Sequence, residues 1–260
     1  MIIDSHCHLN LEPLYNTLHI LDTPEYENFK GLCVGTSLET TTRAIEIAKK
    51  YPGKIFATAG LHPAYLESED SLDFLQSIKP QEIIGVGECG FDFYRSKKEL
   101  VFEKQTQIFE QQIQYAISRN LPLMIHSRST PKTFDAYDDV ICLLKKYYQE
   151  SGYCGAQIHF YAGNSEQAKK FLDLGCMISF TGVVTYDTAL YEVIRSIPLD
   201  RILCETDAPY AAPVPYRGKT CYPIHVVEVY KKIAEITQKD LSEFEARIET
   251  NFHSFYKIPH

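Results

Sequence analysis

The sequence has no apolar run long enough to cross a bilayer. Its beginning also lacks the basic segment, apolar stretch and small-residue cleavage site of a secretory leader. A transmembrane helix needs about 20 mainly apolar residues, and a leader is defined by the second pattern. These absences favour a soluble, unexported protein, for which we expect a cytoplasmic location and no membrane partner.

The sequence also lacks any CxxC pair, although it contains 8 cysteines. Disulfide frameworks are typical of small secreted domains, so a chain of 260 residues without a secretion signal is a poor candidate for one. Cys33, Cys176 and Cys204 lie in apolar, strand-like runs, where free cysteines are commonly buried. A reduced intracellular setting is the better interpretation.

Neither internal repeats nor a linker rich in Gly, Pro and Ser divides the chain. Because α/β barrels routinely use this length as one domain, we expect residues 1–260 to form a single domain. The formal net charge of −8 argues against binding along a long duplex, since non-specific affinity for nucleic acid comes largely from Lys and Arg at phosphates. A small phosphate-binding mouth that contains metal ions remains compatible with this charge.

Short apolar runs alternate with amphipathic helical patterns along the chain. Strands are predicted at residues 2–6, 32–36, 55–60, 83–87, 123–126, 157–160, 176–180 and 202–206. Helices are predicted at residues 38–51, 71–78, 98–119, 135–148, 165–174, 187–197, 224–237 and 240–256. Apolar strands that alternate with helices are typical of a parallel sheet covered by helices, and eight such units predict an α/β fold of the TIM (β/α)8 barrel type.

Side chains that bind metals stand at the ends of these apolar runs. The set comprises His6, His8, Glu88, His126, His159 and Asp207. Barrels hold their chemistry at the carboxyl ends of the strands, and the HxH spacing of the first two places both imidazoles on one face of a strand. A single histidine after a strand is more often a buried, hydrogen-bonded residue. Six ligand-type side chains at corresponding positions instead predict a metal centre at the barrel mouth.

Six ligands exceed the three protein ligands that one catalytic metal usually takes, so two ions are predicted. One ion would take His6, His8 and Asp207. The other would take His126 and His159, and Glu88 would bridge the two ions. Asp207 is also the candidate general base, because a pair of ions about 3.5–4 Å apart activates a water molecule between them. Imidazole-rich ligation favours Zn, Mn, Fe, Ni or Co, whereas Mg prefers oxygen, so the ligands leave the metal open.

For several residues near these ligands, the sequence is compatible with two roles. Asp4 either orients a ligand or organises a turn, and Glu205, which shares a face with Asp207, is either an orienting carboxylate or a packing one. Arg128, two residues after His126, either contacts phosphate or is a solvated surface charge. Tyrosines near the mouth either stack on bases or belong to the core. They are Tyr65, Tyr94, Tyr161, Tyr210 and Tyr216.

A family resemblance rests on six motifs, which in chain order are DSHCHL, GLHP, GECGFD, PLMIHSR, IHFYAGN and ETDAPY. With them, essentially the whole chain resembles the TatD-related DNase family of metal-dependent hydrolases, within the amidohydrolase superfamily. The resemblance implies a TIM barrel with two divalent metal ions at the six positions above, and Mg as the ion that supports activity. It also implies 3′–5′ exonuclease hydrolysis of single-stranded DNA, with no obligate protein partner, and substrate contacts from His62, Asp92 and Arg128.

One departure from the family pattern follows Arg217 and Gly218, where the chain has Cys221, Tyr222 and Pro223 in place of Asn-Glu-Pro. Because this loop follows the eighth strand, the change leaves the metal ligands intact and concerns the shape of the substrate site. Two alternatives therefore stay open. The same centre would hydrolyse an ester or amide such as D-aminoacyl-tRNA, and a barrel without catalysis would only bind nucleic acid.

Overall fold

Parallel strands form one sheet in the computed structural model, which describes residues 1–65, 72–153 and 155–259. Within these residues the strands, each paired with its neighbours in chain order, are β1 (Ile2–Cys7), β2 (Phe29–Cys33), β3 (Ile55–Ala59), β4 (Gly85–Asp92), β5 (Leu123–Arg128), β6 (Ala156–Ile158), β7 (Met177–Phe180) and β8 (Ile202–Cys204). The amide of Asp207 donates to the carbonyl of His6 at 2.9 Å, and the amide of His8 donates to that of Ala208 at 2.7 Å. These bonds join β1 to the chain beyond β8, so the predicted barrel is confirmed.

Helices follow the strands from β2 onward and cover the outside of the sheet. They are α1 (Leu38–Lys50), α2 (Phe74–Ser77), α3 (Lys98–Arg119), α4 (Asp135–Ser151), α5 (Ser165–Asp173), α6 (Leu190–Ser196), α7 (Val226–Thr237) and α8 (Leu241–Phe255). The connection between β1 and β2 consists of two 3-10 helices, Leu14–Asp22 and Pro24–Tyr26. The sequence analysis predicted neither of them.

Capping residues explain where the helices begin and end. The hydroxyl of Ser37 accepts from the amide of Thr40 at 3.2 Å, and the two residues form a capping box at the start of α1. The side chain of Asn164 accepts from the amides of the second and third residues of α5, so the first turn is satisfied. Gly175, with φ of +81°, follows α5 in a left-handed conformation that favours glycine.

The interior of the barrel contains a layer of hydrogen-bonded polar side chains. The side-chain nitrogen Nε2 of Gln157 donates to the hydroxyl of Ser179 at 2.9 Å and to Oε2 of Glu205 at 3.1 Å. The hydroxyl of Tyr256, from the residue that follows α8, donates to Oε1 of Gln157 at 2.7 Å. Because buried polar groups are costly unless paired, this layer stays stable only with all its partners present.

Strand β4 differs most from the prediction. It was expected at residues 83–87, with Glu88 at its end, but it spans Gly85–Asp92 and places Glu88 inside the strand. Its register with β5 shifts between Val86 and Cys89. The sequence prediction stopped at Gly87 because the residues that follow are not a continuous apolar run.

The remaining differences are small. The strand predicted at 32–36 is Phe29–Cys33, and the helix predicted at 187–197 is Leu190–Ser196. The helix predicted at 71–78 is one turn, and its first predicted residue lies outside the described residues. In the described ranges, no helix combines the length and hydropathy required to span a membrane. Free thiols there include Cys7, Cys33, Cys89, Cys142, Cys204 and Cys221, while Cys154 is not described.

Candidate metal centre

The first group of donors joins the two ends of the barrel sheet. His6 lies near the end of β1, His8 follows the strand, and their Nε2 atoms are 3.1 Å apart. Oδ1 of Asp207 lies 3.4 Å from Nε2 of His6 and 3.3 Å from Nε2 of His8. These distances follow from the pairing of β1 with the chain beyond β8, so the three donors predicted for one ion are brought together.

Glu88 lies between this group and a second one. Its Oε2 is 3.7 Å from Nε2 of His6 and 3.6 Å from Nε2 of His8. Its Oε1 is 2.9 Å from Nδ1 of His126 and 2.9 Å from Nε2 of His159. The two oxygens of one carboxylate therefore face two separate pairs of imidazoles.

The close approach of strands β4 and β5 positions Glu88. Gly87 has a φ of +139°, and a Cβ built on it would lie 2.3 Å from the carbonyl oxygen of Met124. Only glycine fits this position. The amide of Glu88 then donates to the carbonyl of Gly35 at 2.7 Å, which fixes the backbone beside the carboxylate.

His126 is held by carboxylates on both ring nitrogens. Nδ1 faces Glu88, and Nε2 lies 3.2 Å from Oδ2 of Asp92, the last residue of β4. A carboxylate on the far nitrogen of a ligating imidazole fixes the orientation of the ring and its tautomer. Family resemblance gave Asp92 a substrate contact, whereas the geometry places it against a predicted ligand.

His62 also reaches the second group. Its Nε2 lies 3.4 Å from Oε1 of Glu88, and its ring centre is 4.4 Å from that of His126. The sequence predicted a substrate contact for His62, and the structure places it within reach of the same ion as Glu88 and His126. Spacing along the chain did not reveal this, because GLHP follows β3 with no second histidine beside it.

Contacts outside the centre orient the other imidazoles. Nδ1 of His8 lies 3.1 Å from the carbonyl oxygen of Val34, which requires Nδ1–H and leaves Nε2 as a donor atom. Nδ1 of His159 lies 3.5 Å from Oε1 of Glu205. The rings of His159 and His6 stack with centres 3.9 Å apart. Each ring therefore presents a defined nitrogen to the centre.

Asp4 and Glu205 lie behind the donors. Asp4 accepts from the amides of His6 at 3.2 Å and Thr206 at 2.9 Å. It therefore ties the backbone of His6 to the residue before Asp207. Oε2 of Glu205 accepts from Ser179 at 2.7 Å in addition to its bond from Gln157. Both carboxylates thus contact the chain that carries the histidines and Asp207, as the orienting interpretation requires.

The electrostatics of the pocket favour positive charge. Burial opposes ionisation of Glu88, but the charges of His159 and His62 and the hydrogen bonds from His126 and His159 hold its pKa well below its usual range. Burial likewise opposes ionisation of Asp207, and hydrogen bonds from His6 and His8 lower its pKa. The pKa of Asp92 falls to about 2, against the effect of its burial, through its bond with His126. Ionised carboxylates thus face the same small volume.

The donor set fits divalent metal ions. Among the residues that the structure describes, three groups have donor atoms within 4.8 Å of one another, namely His6–His8–Asp207, His62–Glu88–His126 and His6–His159–Glu205. Neutral imidazole nitrogens and ionised carboxylate oxygens are the ligands of catalytic Zn, Mn, Fe and Co sites. The first group matches the predicted site, the second adds His62, and Glu205 in the third already accepts three hydrogen bonds.

A cavity of about 620 Å³ opens above these donors. Its wall includes three cationic side chains, Arg95, Arg128 and Lys132, and the guanidinium carbon of Arg128 lies 3.9 Å from the ring centre of Tyr94. The end of β5 and the loop after it add side chains that sequence reasoning missed, because Ser and Thr are common in loops of every kind. They are Ser127, Ser129, Thr130 and Thr133.

The departure from the family pattern lies outside the cavity wall. Cys221 is fully buried, and its amide donates to the carbonyl of Pro209 at 3.1 Å. Neither Cys221 nor Tyr222 is among the described residues that line the cavity. The expected effect on the substrate site is therefore indirect, through the backbone of the loop that carries Tyr210.

A (β/α)8 barrel with imidazoles and ionised carboxylates converging at the carboxyl mouth defines the class, a metal-dependent hydrolase. Two proteins of similar sequence are described as members of the same class. The chain is 32% identical over 265 residues to the uncharacterized metal-dependent hydrolase YabD of Bacillus subtilis, covering 99% of this chain and 100% of the relative. It is 32% identical over 267 residues to YcfH of Escherichia coli, also described as an uncharacterized metal-dependent hydrolase, covering 99% and 96%.

The family follows from two further matches. A family profile described as "TatD related DNase" matches residues 3–257. The crystal structure of YjjV, a TatD homologue from Escherichia coli, superposes with a TM-score of 0.89 at 26% identity, covering 99% of this chain and 98% of the other. The chain belongs to the TatD-related DNase family, as its motifs predicted.

Proposed function

We propose that the protein is a metal-dependent deoxyribonuclease that shortens single-stranded DNA from the 3′ end. The observation that carries this proposal is Glu88, whose two oxygens face two groups of imidazoles at the base of an open cavity with cations on its wall. Family membership supports the same substrate class, because the matching profile describes DNases. A phosphodiester needs charge stabilisation on both the attacking and the leaving oxygen, which one mononuclear site supplies less well.

The chain divides its donors between two ions in this proposal. His6, His8 and Asp207 would hold one ion, His126 and His159 would hold the other, and Glu88, which lies between the two groups, would be shared by both. When bound, such a pair lowers the pKa of a water molecule and stabilises the charge that develops on the phosphate oxygens. Magnesium is proposed as the ion that supports activity, with a transition metal as the alternative that the imidazoles favour.

Asp207 has a second part in the reaction. Its Oδ1 is turned toward His6 and His8, so its other oxygen is the proposed acceptor of the proton from the attacking water. Asp92 holds the ring of His126 in place. Arg128 binds a phosphate of the strand, since it lines the cavity two residues beyond His126.

The test uses purified protein, a 5′-labelled single-stranded oligonucleotide and the same strand in a blunt duplex. Chelator should stop the reaction, and re-addition of Mg²⁺ or Mn²⁺ should restore a ladder that shortens from the 3′ end, faster on the single strand. Asp207→Asn should abolish turnover, whereas Asp200→Asn, an exposed carboxylate away from the cavity, should behave as wild type.

Failure of every added metal to restore shortening would refute the substrate assignment. Parallel incubation with aminoacyl-tRNA distinguishes the ester alternative, because release of the amino acid without DNA cleavage would assign the same centre to a carbonyl substrate. Binding of DNA without turnover on either substrate would favour the barrel that only binds.

A further inference from the structure

We propose that Tyr65 and Tyr210 form a stacking site for the unpaired base at the end of the substrate strand. This inference rests on the proposed function, because it assigns a nucleobase to one side of the same cavity. It explains a preference for single strands, since a base must leave its pair before an aromatic ring can stack on it.

The structure separates the tyrosines that the sequence left ambiguous. Tyr161 is 1% exposed and belongs to the core. Tyr216 is partly buried and stacks on His225 with ring centres 3.8 Å apart. Tyr94 carries the guanidinium of Arg128 on its ring. Tyr65 and Tyr210 are 44% and 56% exposed, and both line the cavity.

The same kind of backbone turn ties both tyrosines to the centre. The amide of Tyr65 donates to the carbonyl of His62 at 3.0 Å, and the amide of Tyr210 donates to that of Asp207 at 2.8 Å. The ring of Tyr65 lies 5.7 Å from that of His62, and the ring of Tyr210 lies 6.4 Å from that of His8. Each tyrosine therefore stands three residues beyond a side chain of the centre, with its ring beside an imidazole of that centre.

Two of the three cations on the wall occupy a different part of it from the tyrosines, and the third, Arg95, follows β4. Arg128 and Lys132 belong to β5 and the loop after it, whereas the two tyrosines follow β3 and β8. In the closed order of the strands, β3 and β8 flank β1 and β2, and β5 lies across the barrel from β1. A nucleotide has an apolar base on one side and a charged phosphate on the other, so this division of the wall matches its chemistry.

The distribution of exposed apolar side chains points to the same face. Among the described residues, nine large hydrophobic side chains are exposed. Seven lie in loops after strands or in the first turn of the next helix, and these are Leu38, Tyr65, Tyr94, Leu100, Phe134, Tyr210 and Val214. Exposed apolar surface concentrated around a cavity marks a binding surface, and its aromatic members favour bases as the ligand.

The experiment compares two 5′-labelled decanucleotides that differ only at the 3′ end, one with thymidine and one with an abasic tetrahydrofuran residue. Binding is measured by fluorescence anisotropy in chelator, and shortening is measured after Mn²⁺ or Mg²⁺ is added. The proteins are wild type, Tyr210→Ala, Tyr210→Phe, Tyr65→Ala and Tyr148→Ala. Tyr148 is a matched control, because it is 45% exposed in the last turn of α4, away from the mouth.

Wild type should bind the normal end roughly tenfold or more tightly than the abasic end, as expected for base–aromatic stacking. Tyr210→Ala and Tyr65→Ala should lose much of this preference, while Tyr210→Phe and Tyr148→Ala keep it. The same pattern should appear in KM rather than in kcat, because stacking holds the substrate without taking part in bond cleavage. A melting scan confirms that each variant is folded.

Failure of the stacking site and failure of the nuclease are separable. Shortening without a preference for the normal end, or alanine variants that keep the preference, would overturn the stacking site alone. A preference in binding without shortening in any metal would overturn the nuclease and leave the stacking site. Wild type that neither binds nor shortens either oligonucleotide would overturn both.

Discussion

At the scale of single residues, the centre depends on which nitrogen of each histidine faces inward. A sequence gives the position of an imidazole but not its orientation, which depends on contacts such as that of His8 with the carbonyl of Val34. His126 shows the consequence, since carboxylates meet both of its nitrogens. Its partner Asp92 therefore has two possible roles that experiment can separate.

Asp92→Asn should weaken metal binding by about 10- to 100-fold, because the amide no longer supplies the charge that orients His126 and raises its basicity. The measurement is competition with a chromophoric chelator at fixed pH. Asp200→Asn serves as the matched exposed control. Unchanged metal affinity together with a raised KM would instead return Asp92 to the substrate contact that the family resemblance implied.

Arg128→Ala should raise KM for single-stranded DNA by roughly 10- to 100-fold, the loss expected when a charge-assisted contact with phosphate is removed. Metal content, measured by elemental analysis, should stay at the wild-type value because the guanidinium of Arg128 packs on the ring of Tyr94. Arg247→Ala, in the exposed part of α8, is the control. A loss of metal in Arg128→Ala would show that the residue supports the centre rather than the substrate.

At the scale of elements, strand β4 determines whether Glu88 reaches both groups of imidazoles. Gly87→Ala places a Cβ 2.3 Å from the carbonyl of Met124 in a backbone conformation that disfavours any side chain. Overpacking and backbone strain together should cost about 3 kcal/mol or more. For a chain of this size the melting temperature should fall by roughly 6–12 °C, and metal content should fall with it as Glu88 moves.

Gly53→Ala isolates the collision from the strain. Gly53 also has a positive φ, +74°, but a Cβ there meets no heavy atom within 4 Å. Its substitution should cost only about 1 kcal/mol of backbone strain. Equal melting temperatures for the two variants would mean that β4 and β5 separate easily, and that Gly87 does not position Glu88.

The sequence predicted elements well where one physical signal dominated. The helical period placed α3 at its observed bounds and the start of α5 at Ser165. The HxH spacing paired His6 with His8 because a strand alternates its faces. The sequence prediction failed at β4, where pairing with β5 continues through residues that carry no strand pattern. Long-range contacts decide such segments, and they include the approach of His62 to Glu88.

At the scale of the whole molecule, the centre joins distant parts of the chain. The donors come from β1, β4 and β5 and from the chain after β3, β6 and β8. Without bound cations, ionised carboxylates and closely spaced imidazoles share one small volume, as with the 3.1 Å between Nε2 of His6 and Nε2 of His8. Ion binding should therefore stabilise the closed barrel in addition to supporting catalysis.

Metal removal should lower the melting temperature of the protein. A ligand that binds only the folded state at 100 times its Kd adds about 2.7 kcal/mol, which for a chain of this size amounts to roughly 5–10 °C. Melting scans in EDTA, and after re-addition of Mn²⁺, Zn²⁺ or Mg²⁺, measure the shift for each ion. His126→Ala should lose part of it, because the site shared with Glu88 loses a donor, whereas His19→Ala, an exposed histidine outside the centre, should keep it. A melting temperature indifferent to chelator, or the same shift in His126→Ala as in wild type, would mean that these side chains converge without holding ions.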